Sequence, residues 1–132
     1  MMIGKKQSSL ETLIGQDSLF KGELTSKRVL RVDGVIEGNV QADSLIIGKT
    51  GSVKGDIFVR GVEVNGSVEG TIKAEEVVEI RPEGAVRGDI YTVKLIISEG
   101  ALFAGHSYMR RPGEAVEESR LIGNEKKVER IY

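Results

Sequence analysis

Few side chains in this 132-residue chain are equipped to do chemistry. One histidine, His106, is the single imidazole available as a general base. Asp43 and the Glu75-Glu76 pair are carboxylates of the kind that bind a metal or share a proton, but a solvated outer face explains them better. Gly48-Lys49-Thr50 echoes part of a phosphate loop, yet no Gly-Lys-Ser/Thr sequence follows a strand and opens a helix. Cysteine is absent, which removes thiol nucleophiles, disulfides and Cys-based metal sites. The 19 basic and 20 acidic residues are interspersed and nearly cancel. Such a balance offers no field to hold a polyanion. The sequence therefore predicts no catalytic residue, no cofactor, no metal, no nucleotide and no nucleic-acid partner.

The elements that would position these residues are unusual. Tryptophan is absent and aromatics make up 5% of the chain, so Val and Ile carry the apolar burden, and both favour strands. Glycine is abundant at 17 and proline scarce at 2, a combination that suits tight corners in an ordered chain. The motif Gly-x-Φ-x-Gly-x-Φ, with Φ apolar, starts at Gly34, Gly51, Gly66 and Gly84. Its second glycines are Gly38, Gly55, Gly70 and Gly88. A copy without its leading glycine precedes at Phe20-Lys21-Gly22-Glu23-Leu24, and a shifted copy follows from Gly100 to Gly105. The leading glycines step by 17, 15, 18 and 16 residues. Short β-branched runs lie between the motifs: Val29–Val32, Leu45–Ile47, Val62–Val64, Val77–Ile80 and Leu95–Ile97.

A period this short does not fill a propeller blade or a leucine-rich repeat, but it closes one turn of a parallel β-helix. Ile36, Val53, Val68 and Val86 then form one inward stack, and Val40, Ile57, Ile72 and Ile90 another. The second glycine of each motif is expected at a corner that a Cβ would strain. Asp33-Gly34 and Asn65-Gly66 read as tight turns supplying φ > 0. An antiparallel sandwich is the competing architecture, and the fixed phase of the motif argues against it. The alternative function is a β-helical acyltransferase-like enzyme using His106 as base. Against it, such proteins keep a hexapeptide period, and His106 falls at the end of the repeat, aligned with Ile90.

Three regions follow: a disordered tail over 1–13, the β-helix over 14–111, and a disordered, charge-rich tail over 112–132. Met1, Met2 and Ile3 followed by Lys5 and Lys6 suit contact with an anionic bilayer surface. No apolar run reaches the roughly 20 residues of a membrane span, and the start lacks a signal peptide's apolar core, so the expected location is the cytoplasm. A β-helix has two open ends, and open ends recruit other chains unless capped. The end coils carry Leu19-Phe20 and Leu102-Phe103, which are expected to pack against the next subunit.

These residues resemble the bactofilins. The resemblance rests on Ile14-Gly15-Gln16-Asp17-Ser18, Phe20-Lys21-Gly22, Val32-Asp33-Gly34 with Glu37-Gly38, the Gly-x-Val-x-Gly-Asp-Ile copies, and the closing Gly100-Ala101, Phe103 and Gly105. It implies an all-β, right-handed parallel β-helix of about six short triangular coils with disordered tails. It also implies a bacterial cytoskeletal homopolymer that assembles without nucleotide into non-polar filaments. On that likeness, Phe103 is an end-contact residue and the N-terminal tail meets the inner face of the cytoplasmic membrane. The filaments of the family scaffold cell-wall or polarity proteins.

Overall fold

A computed structural model describes residues 10–111. Every element among them is a strand, and every pairing is parallel. The strands are β1 (Leu10–Ile14), β2 (Leu19–Thr25), β3 (Val29–Val32), β4 (Val35–Gln41), β5 (Ser44–Ile47), β6 (Ser52–Lys54), β7 (Ile57–Val64), β8 (Ser67–Ile80), β9 (Ala85–Thr92), β10 (Lys94–Ile97) and β11 (Leu102–Met109). They wind into a solenoid of six coils with three walls. Wall one stacks β1, β3, β5, the second half of β7, the second half of β8, and β10. Walls two and three are the two halves of β2, β4, β9, β11 and the first part of β8, with β6 and the start of β7 completing the third coil.

The period-2 alternation of each short strand sends every second side chain inward. Parallel register then piles like on like. Phe20, Ile36, Val53, Val68, Val86 and Phe103 form one column. Leu24, Val40, Ile57, Ile72, Ile90 and Ser107 form the next. Wall one adds Leu30, Leu45, Val62, Val78 and Leu95, and beside them Val32, Ile47, Val64, Ile80 and Ile97. The middle of each column is dry: Ile36, Val53, Ile57, Ile72, Val86 and Ile90 are fully buried. β-branched side chains suit this site because they pack well on a pleated surface and lose little further χ1 freedom.

The second glycine of the motif makes the bend between walls two and three. Gly38, Gly55, Gly70 and Gly88 all have φ between +137° and +146°, a region closed to ordinary L-residues. A Cβ on any of them would also strike the carbonyl of the matching glycine one coil back. The sequence expectation of a strained corner thus has two causes, dihedral and steric.

The leading glycines work differently. Gly34 and Gly66 are not among the positive-φ residues, so the tight-turn reading of Asp33-Gly34 and Asn65-Gly66 is corrected. What they supply is space. A Cβ on Gly34 would meet the Gly15 and Ser18 carbonyls, and one on Gly66 those of Gly51 and Gly48. Those carbonyls belong to four-residue turns closed by Ser18 N–H to Gly15 O at 3.1 Å and Gly51 N–H to Gly48 O at 2.8 Å. Further such turns lie at Arg81–Gly84 and Ser98–Ala101. A short corner nests against the long corner before it. This explains the uneven 17, 15 and 18 steps: residues are added at corners, while the walls keep one length.

Two other expectations shift. The solenoid starts at Leu10 rather than at residue 14, since β1 pairs with β3 through Leu10↔Val29 and Ile14↔Val32. A bulge between Leu10 and Thr12 breaks the alternation and hides this strand from pattern reading. In the last coil the phase moves by one. Leu102 pairs with Ala85, so Ala101, not Gly100, follows Gly84 in its column. His106 therefore lies beside Asp89 on the outside, and Ser107 takes the Ile90 position that His106 was expected to share. Tails over 1–9 and 112–132, and with them Met1, Met2, Ile3, Lys5 and Lys6, lie outside the described residues.

Candidate polymerisation interface

Each interior strand segment has a ladder neighbour on both sides. The end coils do not: β1 pairs only with β3, β2 only with β4, β10 only with β8, and β11 only with β9. Both ends thus present a row of unpaired backbone N–H and C=O groups beside the open apolar core, and no helix covers either end among the described residues.

The sequence-predicted contact residues divide by direction. Phe20 and Phe103 terminate the same inward column at opposite ends and pack, partly buried, on the core. Leu19 and Leu102 sit one residue earlier, at the outward position of wall two, next to Val35 and Ala85. Leu19 is 59% exposed and Leu102 43%. Leu13, 55% exposed, and Ile97, 47% exposed, join them, and sequence reading did not single these two out. Four of the five exposed large apolar side chains therefore lie in the terminal coils. The fifth, Phe58, is on wall three. The missed pair was findable: Ile97 ends the inward column that begins Val32, Ile47, so nothing of its own chain covers it in the last coil.

The outer surface is stapled by charge. Lys21, Glu37, Lys54, Glu69 and Arg87 follow one another up wall two with alternating sign. Lys21 and Glu37 stand 3.8 Å apart. Arg60 bridges Asp43 at 3.4 Å and Glu76 at 3.7 Å across successive coils, which accounts for two of the carboxylates that had suggested a metal or acid pair. Arg31 donates to Asp33 at 2.9 Å. That hydrogen bond first, and the Asp33 charge second, hold its guanidinium above the ordinary value. Burial lowers the Lys73 ammonium, with Asp56 acting in the opposite direction. His106 is exposed and faces Asp89 at 3.7 Å.

The phosphate-loop echo is used up structurally. Gly48-Lys49-Thr50 lies in a long corner, where Thr50 Oγ1 donates to the Asp33 carbonyl at 2.7 Å and Lys49 pairs with Glu83 at 3.6 Å. Among the described residues no cluster of three or more His, Cys, Asp or Glu is arranged to bind a metal ion.

Known proteins agree with this geometry. Residues 12–108 match the family described as Bactofilin, polymer-forming cytoskeletal. BacP of Myxococcus xanthus is 39% identical over 95 residues, which are 71% of this chain and 40% of BacP. The chain thus spans less than half of that relative. BacO of the same organism is 33% identical over 96 residues, covering 72% of this chain and 76% of BacO. The cryo-EM structure of Thermus thermophilus bactofilin in double helical filaments superposes with a TM-score of 0.69 at 28% identity, over 76% of this chain and all of that one. A three-walled parallel solenoid, open at both ends and matched along nearly all its described length, places the chain in the bactofilin family of polymer-forming cytoskeletal proteins.

Proposed function

We propose that this chain polymerises by stacking solenoids end to end, like end on like end and without nucleotide, and that the filament is a scaffold rather than an enzyme. One observation carries the reading: both terminal coils leave ladder edges unpaired over an apolar core that ends in Phe20 and Phe103. Adding another coil there satisfies backbone donors and acceptors and removes apolar surface from water in one step. No bound nucleotide is needed, because the driving surface is already formed. Joining of like ends follows the family resemblance, and it places a two-fold axis across every junction.

The proposed location is the inner face of the cytoplasmic membrane, where the filament serves cell-shape or polar-localisation machinery. Met1, Met2 and Ile3 supply a small apolar insertion, and Lys5 and Lys6 attract anionic headgroups. One such anchor is weak, but a filament carries one per copy, so binding strengthens with length. Removal of residues 1–6 is expected to abolish flotation of filaments with anionic liposomes, and equal flotation of both forms contradicts this part of the reading.

Charge placed at an end contact tests the polymer itself, since an unpaired buried charge is strongly unfavourable. Under like-end joining, Phe103→Arg blocks one kind of junction and leaves dimers joined through the other. Phe20→Arg does the converse, and the double variant is a monomer. Head-to-tail joining predicts monomers from either single change. Sedimentation of the three proteins separates the two schemes, and filaments surviving in all three would remove both ends from the contact.

A further inference from the structure

Wall three differs from its neighbours on the outside. Two columns run up it. One is Gln41, Phe58, Lys73, Tyr91 and Tyr108. The other holds Glu23, Asn39, Asp56, Thr71, Asp89 and His106. The first column contains three of the five aromatic rings in the described residues; the other two, Phe20 and Phe103, close the core. The column is preorganised. The Lys73 ammonium lies 5.0 Å from the Phe58 ring centre and 5.6 Å from that of Tyr91. The rings of Tyr91 and Tyr108 stack at 4.7 Å with planes 16° apart. Phe58 remains 45% exposed and borders a groove of 290 Å³ between walls three and one, lined also by Gln41, Asp43, Arg60 and Glu75. A core-packing role does not explain this face, since every ring in it points away from the core.

We infer that the outer face of wall three is a lateral contact between copies of this chain in neighbouring filaments, the aromatic column of each copy resting on the carboxylate column of the other. The inference rests on the filament reading above. Charge complementarity selects the occupant. One column offers donors and a cation in Tyr91, Tyr108 and Lys73; the other offers the carboxylates of Glu23, Asp56 and Asp89. A two-fold axis parallel to the solenoid, between two facing copies, lays each column on its opposite. Tyrosine and stacked cations are also the groups that interfaces favour, and a column already held in place loses little entropy on docking.

Area sets the condition. Six coils at about 4.8 Å and about 10 Å of strand width give roughly 300 Å² per copy, well below the roughly 800 Å² per partner of a stable complex. Two isolated copies do not hold. A filament repeats the contact with every subunit, and linked contacts add. Lateral pairing is therefore a consequence of end-to-end growth, and short oligomers lack it.

The test compares the full chain with Phe58→Asp/Tyr91→Asp, both changes on the outer face. Cryo-EM and low-speed pelleting are expected to show paired filaments for the unaltered chain and single filaments of unchanged length for the variant. Pairing that persists overturns the inference, and so does loss of the filaments themselves. A second probe uses the lack of native cysteine. Thr71→Cys on wall three is expected to cross-link between copies with a short bis-maleimide, Ser67→Cys on wall two is not, and Phe103→Arg is expected to abolish the Thr71→Cys product. Filaments without that product defeat the lateral contact alone. Absence of any filaments defeats the end-to-end reading, and this inference with it.

Discussion

The middle coils and the end coils are written in one repeat but solve opposite problems. In the middle, from Val32 to Ile90, columns of Val and Ile are sealed above and below, and each backbone edge is used. At the ends the same inward positions hold larger or more polar side chains: Phe20 and Phe103 in one column, Ser107 in another, and Thr12 opposite Leu30. Large apolar side chains also move to the outside there, as Leu13, Leu19 and Leu102. A solenoid that only had to stay soluble would grow more polar toward its ends. This one grows stickier, and that difference separates a subunit from a free-standing domain.

The sharpest contrast lies in the glycine column. Gly70→Ala places a Cβ against the Gly55 carbonyl at φ +137°, so strain and clash add. A loss of about 4 kcal/mol or more is expected, read as a collapse of the thermal midpoint or failure to fold. Gly22→Ala has a similar φ, +128°, but the nearest atom to its Cβ is a Phe20 ring carbon at 4.0 Å. Only the dihedral strain of about 1–3 kcal/mol remains. Equal losses at the two positions would erase the contrast.

Core truncation gives the next effect. Ile72→Ala, in the sealed middle, is expected to lower stability by about 2–5 kcal/mol while the surviving folded protein still assembles. Phe103→Ala, in a half-open coil, should lower folding stability by only about 1 kcal/mol yet shorten or abolish filaments. Unfolding curves at fixed protein concentration, paired with pelleting, check both halves. A Phe103 variant that unfolds like the Ile72 variant would make Phe103 ordinary core. The smallest effect concerns the wall-two charges. Glu37→Lys sets three cations in successive coils, which should destabilise by about 0.5–1 kcal/mol, and added salt should relieve it.

Much of this was legible in the sequence. The Gly-x-Φ-x-Gly-x-Φ block fixed the phase of walls two and three because an outward slip by one residue would expose a whole column. Ile36, Val53, Val68 and Val86 therefore stack as expected. The corners were less readable. Gly34 and Gly66 are required for space against a neighbouring coil, a tertiary demand that a dipeptide pattern imitates but does not reveal. The last coil misled because Gly100, in a turn at φ +95°, stands where a leading glycine was sought. That one-residue error carried His106 inward on paper and left Ser107 unnoticed. The wall-three column was visible in principle, since Phe58, Lys73 and Tyr91 each follow an inward Ile by one residue. Outward positions have no hydrophobic period to draw attention to them.

The central claim is that the end coils continue one another from copy to copy. A cryo-EM reconstruction of the purified full-length chain, assembled with no ATP or GTP, tests it most directly. The expected map shows coils running on through each junction at about the 4.8 Å ladder spacing, with Phe20 and Phe103 enclosed and a two-fold axis at every joint. Monomers alone at high concentration, or polymers joined by their walls with both end coils in solvent, would contradict it.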